Sequence, residues 1–288
     1  MRRTLFLPLL FLSSVLLLFV AFLFIECPAK KKEAPPAAQT AVSQKPNEPG
    51  VEPRQGQDAA RLQKTETPVK KAAVIIDDLG YSLEAARSLC SLKKPVTAAI
   101  LPFAPASLET ARFAHECGLE IMLHLPLESL FQNPEKAAEG MISAGMTGEE
   151  VRRDILACLE RVPWSKGVNN HTGSKITEDA GMMPEILGVL KEKGLYFIDS
   201  RTSKDTVAFE AARRMGVRAA SRQVFLDQDL DEAAIKKKLE ELFRLAGEKG
   251  RAVGICHTKK ETLKALGKYL GLADRYGVKL VFASEIVE

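Results

Sequence analysis

Across 288 residues the chain carries 41 Lys and Arg against 37 Asp and Glu, a net charge of +4, and 46% of its residues are apolar. That balance suits a domain with a sizeable core and excludes a wholly disordered chain. The charge is modest, part of it lies in the first 70 residues, and no basic stripe interleaves with aromatics, so a nucleic-acid partner is not expected.

The N-terminus opens on the basic Met1-Arg2-Arg3, followed from Leu5 to Ile25 by an apolar run interrupted only by Pro8, Ser13 and Ser14. A bilayer takes about 20 apolar residues, and the run exceeds the core of a cleavable signal. Lipidation at Cys27 is disfavoured by Glu26, which stands where a small residue belongs. Residues 1–27 are therefore read as an uncleaved membrane anchor. Arg2-Arg3 and Lys30-Lys31-Lys32 flank it on both sides and do not fix its orientation. The expected placement is a cytoplasmic N-terminus with the remainder extracytoplasmic, on the periplasmic side of the inner or cytoplasmic membrane. Residues 28–70, rich in Pro, Ala, Gln, Lys and Glu and without apolar periodicity, read as a disordered tether.

From 71 to 288 two textures alternate. Short apolar runs near 72–77, 96–101, 119–123, 166–169, 195–198, 217–220, 251–256 and 278–282 predict strands. Helical patterns such as "SLEAARSLCSL" and "DEAAIKKKLEELFRLAGEKG" lie between them. Strands alternating with helices indicate βα units and a parallel sheet. Seven or eight units in one domain fit a (β/α) barrel better than an open sheet. Several helices end at glycine, as at Gly118, Gly194, Gly216, Gly250 and Gly277.

In a parallel barrel the chemistry gathers where strands end and βα loops begin. Asp77 and Asp78 follow the first strand in "AVIIDDLGY", and His124 closes the third. Asn169, Asn170 and His171 follow the fourth; Asp199, Ser200 and Arg201 follow the fifth; His257 follows the seventh. Ser82 is placed to cap the first helix, which leaves the aspartates without a local role. Imidazoles and carboxylates suit a divalent metal, most simply zinc with three protein ligands and an open position. Asp78, His124 and His171 are candidate ligands; Asp77, Asp199 and His257 are the proton-transfer inventory. Adjacent aspartates on a strand point opposite ways, so sharing one site requires a bend, which Gly80 permits. His115, inside a helical pattern, reads as surface or packing. No Cys-x2-Cys pair occurs among the five cysteines, at 27, 90, 117, 158 and 256, and their odd number argues against a disulfide framework. Cys90, Cys117 and Cys158 read as small apolar groups on helices. Cys256 adjoins His257, but alternation turns it away from the mouth.

In this order, "IIDDLGYS", "EIMLHLPLE", "GVNNHTGSKIT", "FIDSRTS" and "AVGICH" resemble the divergent polysaccharide deacetylase family, a distant branch of the NodB-type carbohydrate esterases. The resemblance spans nearly all of 72–288. It implies a NodB-like (β/α) barrel with a catalytic zinc that deacetylates N-acetylated sugars of polysaccharide or peptidoglycan type. It implies Asp77 as general base, Asp78 and His124 as metal ligands, His257 as general acid and Asp199 as the aspartate that tunes it. The family's His-x3-His motif is altered: Glu128 stands at its second histidine, so either Glu128 or His171 completes the metal set, with His171 preferred. The arginine that pairs with the base has no clear counterpart, and Arg201 is a substitute; Asn170 and Arg201 are assigned to the substrate. Two alternatives remain open. One is a catalytically degenerate module that binds glycan or protein, and the other is a structural envelope protein.

Overall fold

The structure, a computed structural model, describes residues 68–131, 133 and 137–288. The expected anchor at 1–27 and almost all of the tether at 28–70 lie outside the described residues. Among those described, no helix is long and apolar enough to cross a membrane.

The elements run β1 (Lys71–Leu79), α1 (Leu83–Ser91), β2 (Thr97–Ile100), α2 (Ser107–Glu116), β3 (Glu120–Leu127), α3 (Gly148–Arg161), β4 (Ser165–Thr172), α4 (Ser174–Thr177), α5 (Met182–Glu192) and β5 (Tyr196–Asp199). They continue with α6 (Ala208–Arg214), β6 (Ala219–Ser221), β7 (Val224–Phe225), α7 (Glu232–Lys249), β8 (Arg251–His257), α8 (Lys260–Tyr269) and β9 (Lys279–Val281). Local chemistry sets several boundaries. Thr147 and Glu150 form a reciprocal capping box before α3. Asp231 accepts from the N–H groups of Ala233 and Ala234 at the start of α7, and Gly250 ends it in the left-handed conformation. Ser82 does occupy the N-cap of α1, but its hydroxyl makes no capping bond.

All strand pairs are parallel, in the order β6-β5-β4-β3-β2-β1-β8-β7. The extended stretch 219–225 joins the two ends of this order. Its first half pairs with β5 and its second half with β8, so the ladder curls into a (β/α) barrel. The sequence-predicted strand at 217–220 falls on β6, whereas β7 has no counterpart in the prediction. At the base, β9 pairs with the first residues of β1.

Alternation along the strands makes two apolar layers. Ala73, Ile75, Met122, Tyr196, Ile198, Val253 and Ile255 fill the interior together with Ala283 and Ile286 near the C-terminus. Val74, Ile76, Leu123, Leu125, Val168, Phe197 and Cys256 face the helices. Gly167 is required in the interior, because a β-carbon there would overlap the Tyr196 ring.

The cysteine reading needs one correction: Cys90 and Cys117 form a disulfide with a Cα–Cα distance of 6.0 Å. It ties the ends of α1 and α2, which neighbour each other only in the fold, so spacing along the chain gives no sign of it. Cys158 and Cys256 are free and buried.

Candidate metal centre and catalytic cavity

The alternation that fills the barrel also aims the site. In β1, Ala73 and Ile75 point inward, so Asp77 continues the inward row and is buried. Asp78 belongs to the outward row, yet its backbone turns to a φ of 61°, a left-handed conformation that few non-glycine residues adopt. The pairing of β1 with β2 shifts register between Ile76 and Leu79. The bend expected at Gly80 thus begins at Asp78 itself. Gly80 completes it with a φ of 118°, where a β-carbon would crowd Ser107, Ala104 and the Leu101 carbonyl.

In β3, His124 follows Met122 inward; in β4, Asn169 and His171 follow Gly167. Asp78 Oδ1 lies 3.3 Å from His124 Nε2 and 3.1 Å from His171 Nδ1, and the two ring nitrogens stand 3.1 Å apart. Asp78 Oδ1 is buried yet aligned for a hydrogen bond with neither ring. Ligand atoms around a tetrahedral zinc ion stand about 3.3–3.4 Å from one another. The spacing, the orphaned carboxylate oxygen and the donor chemistry therefore fit a divalent cation, and these three residues are the ones that could hold it.

Glu128 is engaged elsewhere. One of its oxygens pairs with Lys175 Nζ at 2.6 Å and the other accepts the Ala144 N–H at 2.8 Å. Its carboxyl is held below the usual range, chiefly by the Lys175 bond.

Asn169 organises the triangle, a role that sequence reasoning missed. Its Oδ1 faces His124 Nδ1 at 2.8 Å and its Nδ2 donates to Asp77 Oδ1 at 2.8 Å. As acceptor it places the imidazole proton on Nδ1, which leaves the Nε2 lone pair for the triangle. Burial raises the Asp77 pKa, and the opposing influences of His124 and Asn169 do not cancel that rise.

His257 ends the inward row of β8. Its Nδ1 lies 3.1 Å from Asp227 Oδ1, and its backbone N–H donates to Asp227 Oδ2 at 2.7 Å. The bond to Asp227 raises the imidazole pKa, and burial of the ring only partly opposes this. Here the sequence reading of Asp199 is corrected, since the carboxylate beside His257 is Asp227. Tyr196 and Ile198 face the barrel interior, so Asp199 joins Phe197 on the helix side. There it accepts the Arg201 N–H and the Thr206 hydroxyl, at 2.8 and 3.0 Å. The signal for Asp227 is the aspartate ending "VFLD", hidden because β7 is two residues long.

Asn170, assigned to the substrate, lines the same cavity as Asp77 and the histidines, and its amide is also bonded within the chain. Its Oδ1 accepts the Ser200 N–H and its Nδ2 donates to the Thr172 carbonyl and the Thr202 hydroxyl, so its amide clamps two loops together. Asp77, His124, His171 and His257 line one cavity of about 480 Å³, with Arg201 and Arg222 on its wall. Arg222, also missed from sequence, donates to the carbonyls of Ser200 and Arg201 at 2.6 and 2.8 Å and lies 5.1 Å from the Phe225 ring centroid. Burial lowers its pKa, with the Arg201 charge adding to the effect, while Asp199 and Asp77 act the other way. His115 stacks on Trp164 with ring centroids 4.7 Å apart, in keeping with a surface role.

The chain has relatives. The chain is 33% identical over 196 residues to the uncharacterized protein YibQ of Escherichia coli (strain K12), covering 68% of this chain and 61% of that protein. The matched region thus spans less than two thirds of that relative. An uncharacterized protein of Haemophilus influenzae is 31% identical over 68% of this chain and 69% of its own. The crystal structure of uncharacterized protein ATU2773 from Agrobacterium tumefaciens C58 superposes with a TM-score of 0.72 at 22% identity, covering 77% of this chain and 91% of that one, and so shares the fold. The model of the divergent polysaccharide deacetylase family matches residues 74–287, and the chain belongs to that family.

Proposed function

We propose that the domain is a metal-dependent hydrolase that removes acetyl groups from an N-acetylated polysaccharide of the cell envelope. The observation that carries this reading is the triangle of Asp78 Oδ1, His124 Nε2 and His171 Nδ1, set beside Asp77 and His257. Asp78, His124 and His171 would hold a divalent ion, zinc by the ligand types, which would supply a Lewis acid for the bound water and the acetyl carbonyl. Asp77, with Oδ1 held by Asn169, takes the proton of the attacking water through its other oxygen. Its burial makes it the stronger base. His257 gives a proton from Nε2 to the departing sugar amine, while Asp227 holds Nδ1 and keeps the ring charged. Acetate and the free amine leave.

The Cys90–Cys117 disulfide supports an oxidising, extracytoplasmic location, in keeping with a membrane anchor at 1–27 and a tether at 28–70. A second reading, a binding module without turnover, is favoured by Glu128, which replaces the second histidine and is spent on Lys175.

Metal content, metal affinity and acetate release from N-acetylated oligosaccharides, measured on the full chain, test these readings. About one equivalent of metal is expected. Asp78→Ala, His124→Ala or His171→Ala should abolish binding and Glu128→Ala should retain it. Metal binding without acetate release would select the second reading, and absence of metal would end the hydrolase reading.

A further inference from the structure

Two polar groups of the cavity wall have no part in the chemistry above. The Arg201 guanidinium has no hydrogen bond or ion pair among the described residues, and the Ser200 hydroxyl is buried without a partner. Their turn is fastened through its backbone. The Ser200 N–H donates to Asn170, the Arg201 N–H donates to Asp199, and both carbonyls accept from Arg222. Arg201 is held at a φ of 51°, a conformation that costs a non-glycine residue free energy. Asp199 acts on this cation electrostatically but makes no direct ion pair with it, and the exposed Arg201 side chain keeps its donors for a group outside the chain.

The charge of the cavity indicates which group. Among the described residues that line it, Asp77 is the sole acid, and it is bonded to Asn169. Asp78 belongs to the metal triangle. Against these stand Arg201, Arg222 and the imidazole of His257. The Arg222 guanidinium donates to two carbonyls, whereas Arg201 keeps its planar fork of donors, which matches a carboxylate or phosphate in two parallel bonds.

Resting on the deacetylase reading, we propose that Arg201 and Ser200 form a subsite for an anionic substituent, carboxylate or phosphate, on the same glycan whose acetyl group lies at the metal triangle. Arg201 and the two histidines of that triangle line a single cavity, so the anion and the acetyl group belong to one molecule. The preferred substrate is then an acidic glycan, and a neutral chitin-type chain is a poorer one.

Calorimetry on the full-length, zinc-loaded protein tests this without turnover. The probes are an oligosaccharide of alternating N-acetylglucosamine and N-acetylmuramic acid, its carboxyl methyl ester, and an N-acetylglucosamine oligosaccharide carrying a 6-phosphate. One or both anionic probes should bind about 10- to 100-fold more tightly than the ester, as a charge-assisted bond warrants, and the tighter of the two identifies the substituent. Arg201→Gln should bring that Kd to the ester's value, Arg201→Lys should restore part of the preference, and Ser200→Ala should weaken it. Equal binding of all three probes, no binding at millimolar concentration, or a preference that survives Arg201→Gln would overturn the subsite. Acetate release is followed in parallel. Its absence beside an intact preference would overturn the deacetylase reading and leave the subsite standing.

Discussion

At the scale of single residues the site is a set of inward-facing positions at strand ends, each fixed by a neighbour. Asn169 touches both His124 and Asp77, so Asn169→Ala should weaken metal affinity about 10- to 100-fold, as loss of a ligand-orienting group does, measured by competition with a chelator. His257 offers a pH test. Its folded pKa is raised above the ordinary value of 6.5 by Asp227, so under the proposed mechanism the protonated acid should persist to higher pH, and activity should fall as pH rises through that raised value. Asp227→Asn should move this alkaline limb to lower pH. The linked stability has the same sign: it is fully present below about 6.5 and is lost as pH rises through the folded pKa. An unmoved limb in Asp227→Asn would show that another group sets it. Asp77, Asp78, His124, His171 and His257 were legible because polar groups at the ends of apolar runs are conspicuous. Asp199 was misassigned because the same signal cannot say which way a strand's last residue points.

At the scale of elements, the disulfide between the ends of α1 and α2 closes a loop with a sequence separation of 27. Closing such a loop stabilises by about 3 kcal/mol. Cys90→Ala with Cys117→Ala should therefore lower Tm by roughly 6–12 °C, read by calorimetry, and an unchanged Tm would mean that the bridge adds nothing beyond packing. The inner layer makes a sharper demand. Gly167→Ala forces the Tyr196 ring aside, and overpacking of this kind costs about 1–3 kcal/mol, measurable by urea unfolding. Tyr196 also donates to Glu120 Oε1 at 2.8 Å, so the ring has little freedom to yield. Helix and strand identities were readable from periodicity, and the C-terminal ends of α2, α5, α6 and α7 from the left-handed glycines that follow them. The pairing of Cys90 with Cys117 was not, because it depends on how α1 and α2 lie on the barrel.

At the scale of the molecule, the barrel is closed at its base by residues 283–286. The Ala283 N–H donates to the Thr97 hydroxyl at 3.0 Å, the Ser284 N–H donates to Glu120 at 3.0 Å, and Ile286 is buried in the inner core. Ile286→Ala should cost about 2–4 kcal/mol, a loss seen in chemical denaturation well away from the chemistry. The sequence by itself determined a parallel (β/α) barrel and the strand ends that carry its candidate site, because alternation is a local property of the chain. Only the tertiary structure decided which groups meet. The contact of Asn169 with Asp77 spans 92 residues, that of His257 with Asp227 spans 30, and that of Cys90 with Cys117 spans 27. Such contacts depend on register, on a left-handed turn at Asp78 and on which face each strand presents. Those are set by packing against the whole barrel, and no short stretch of sequence encodes them.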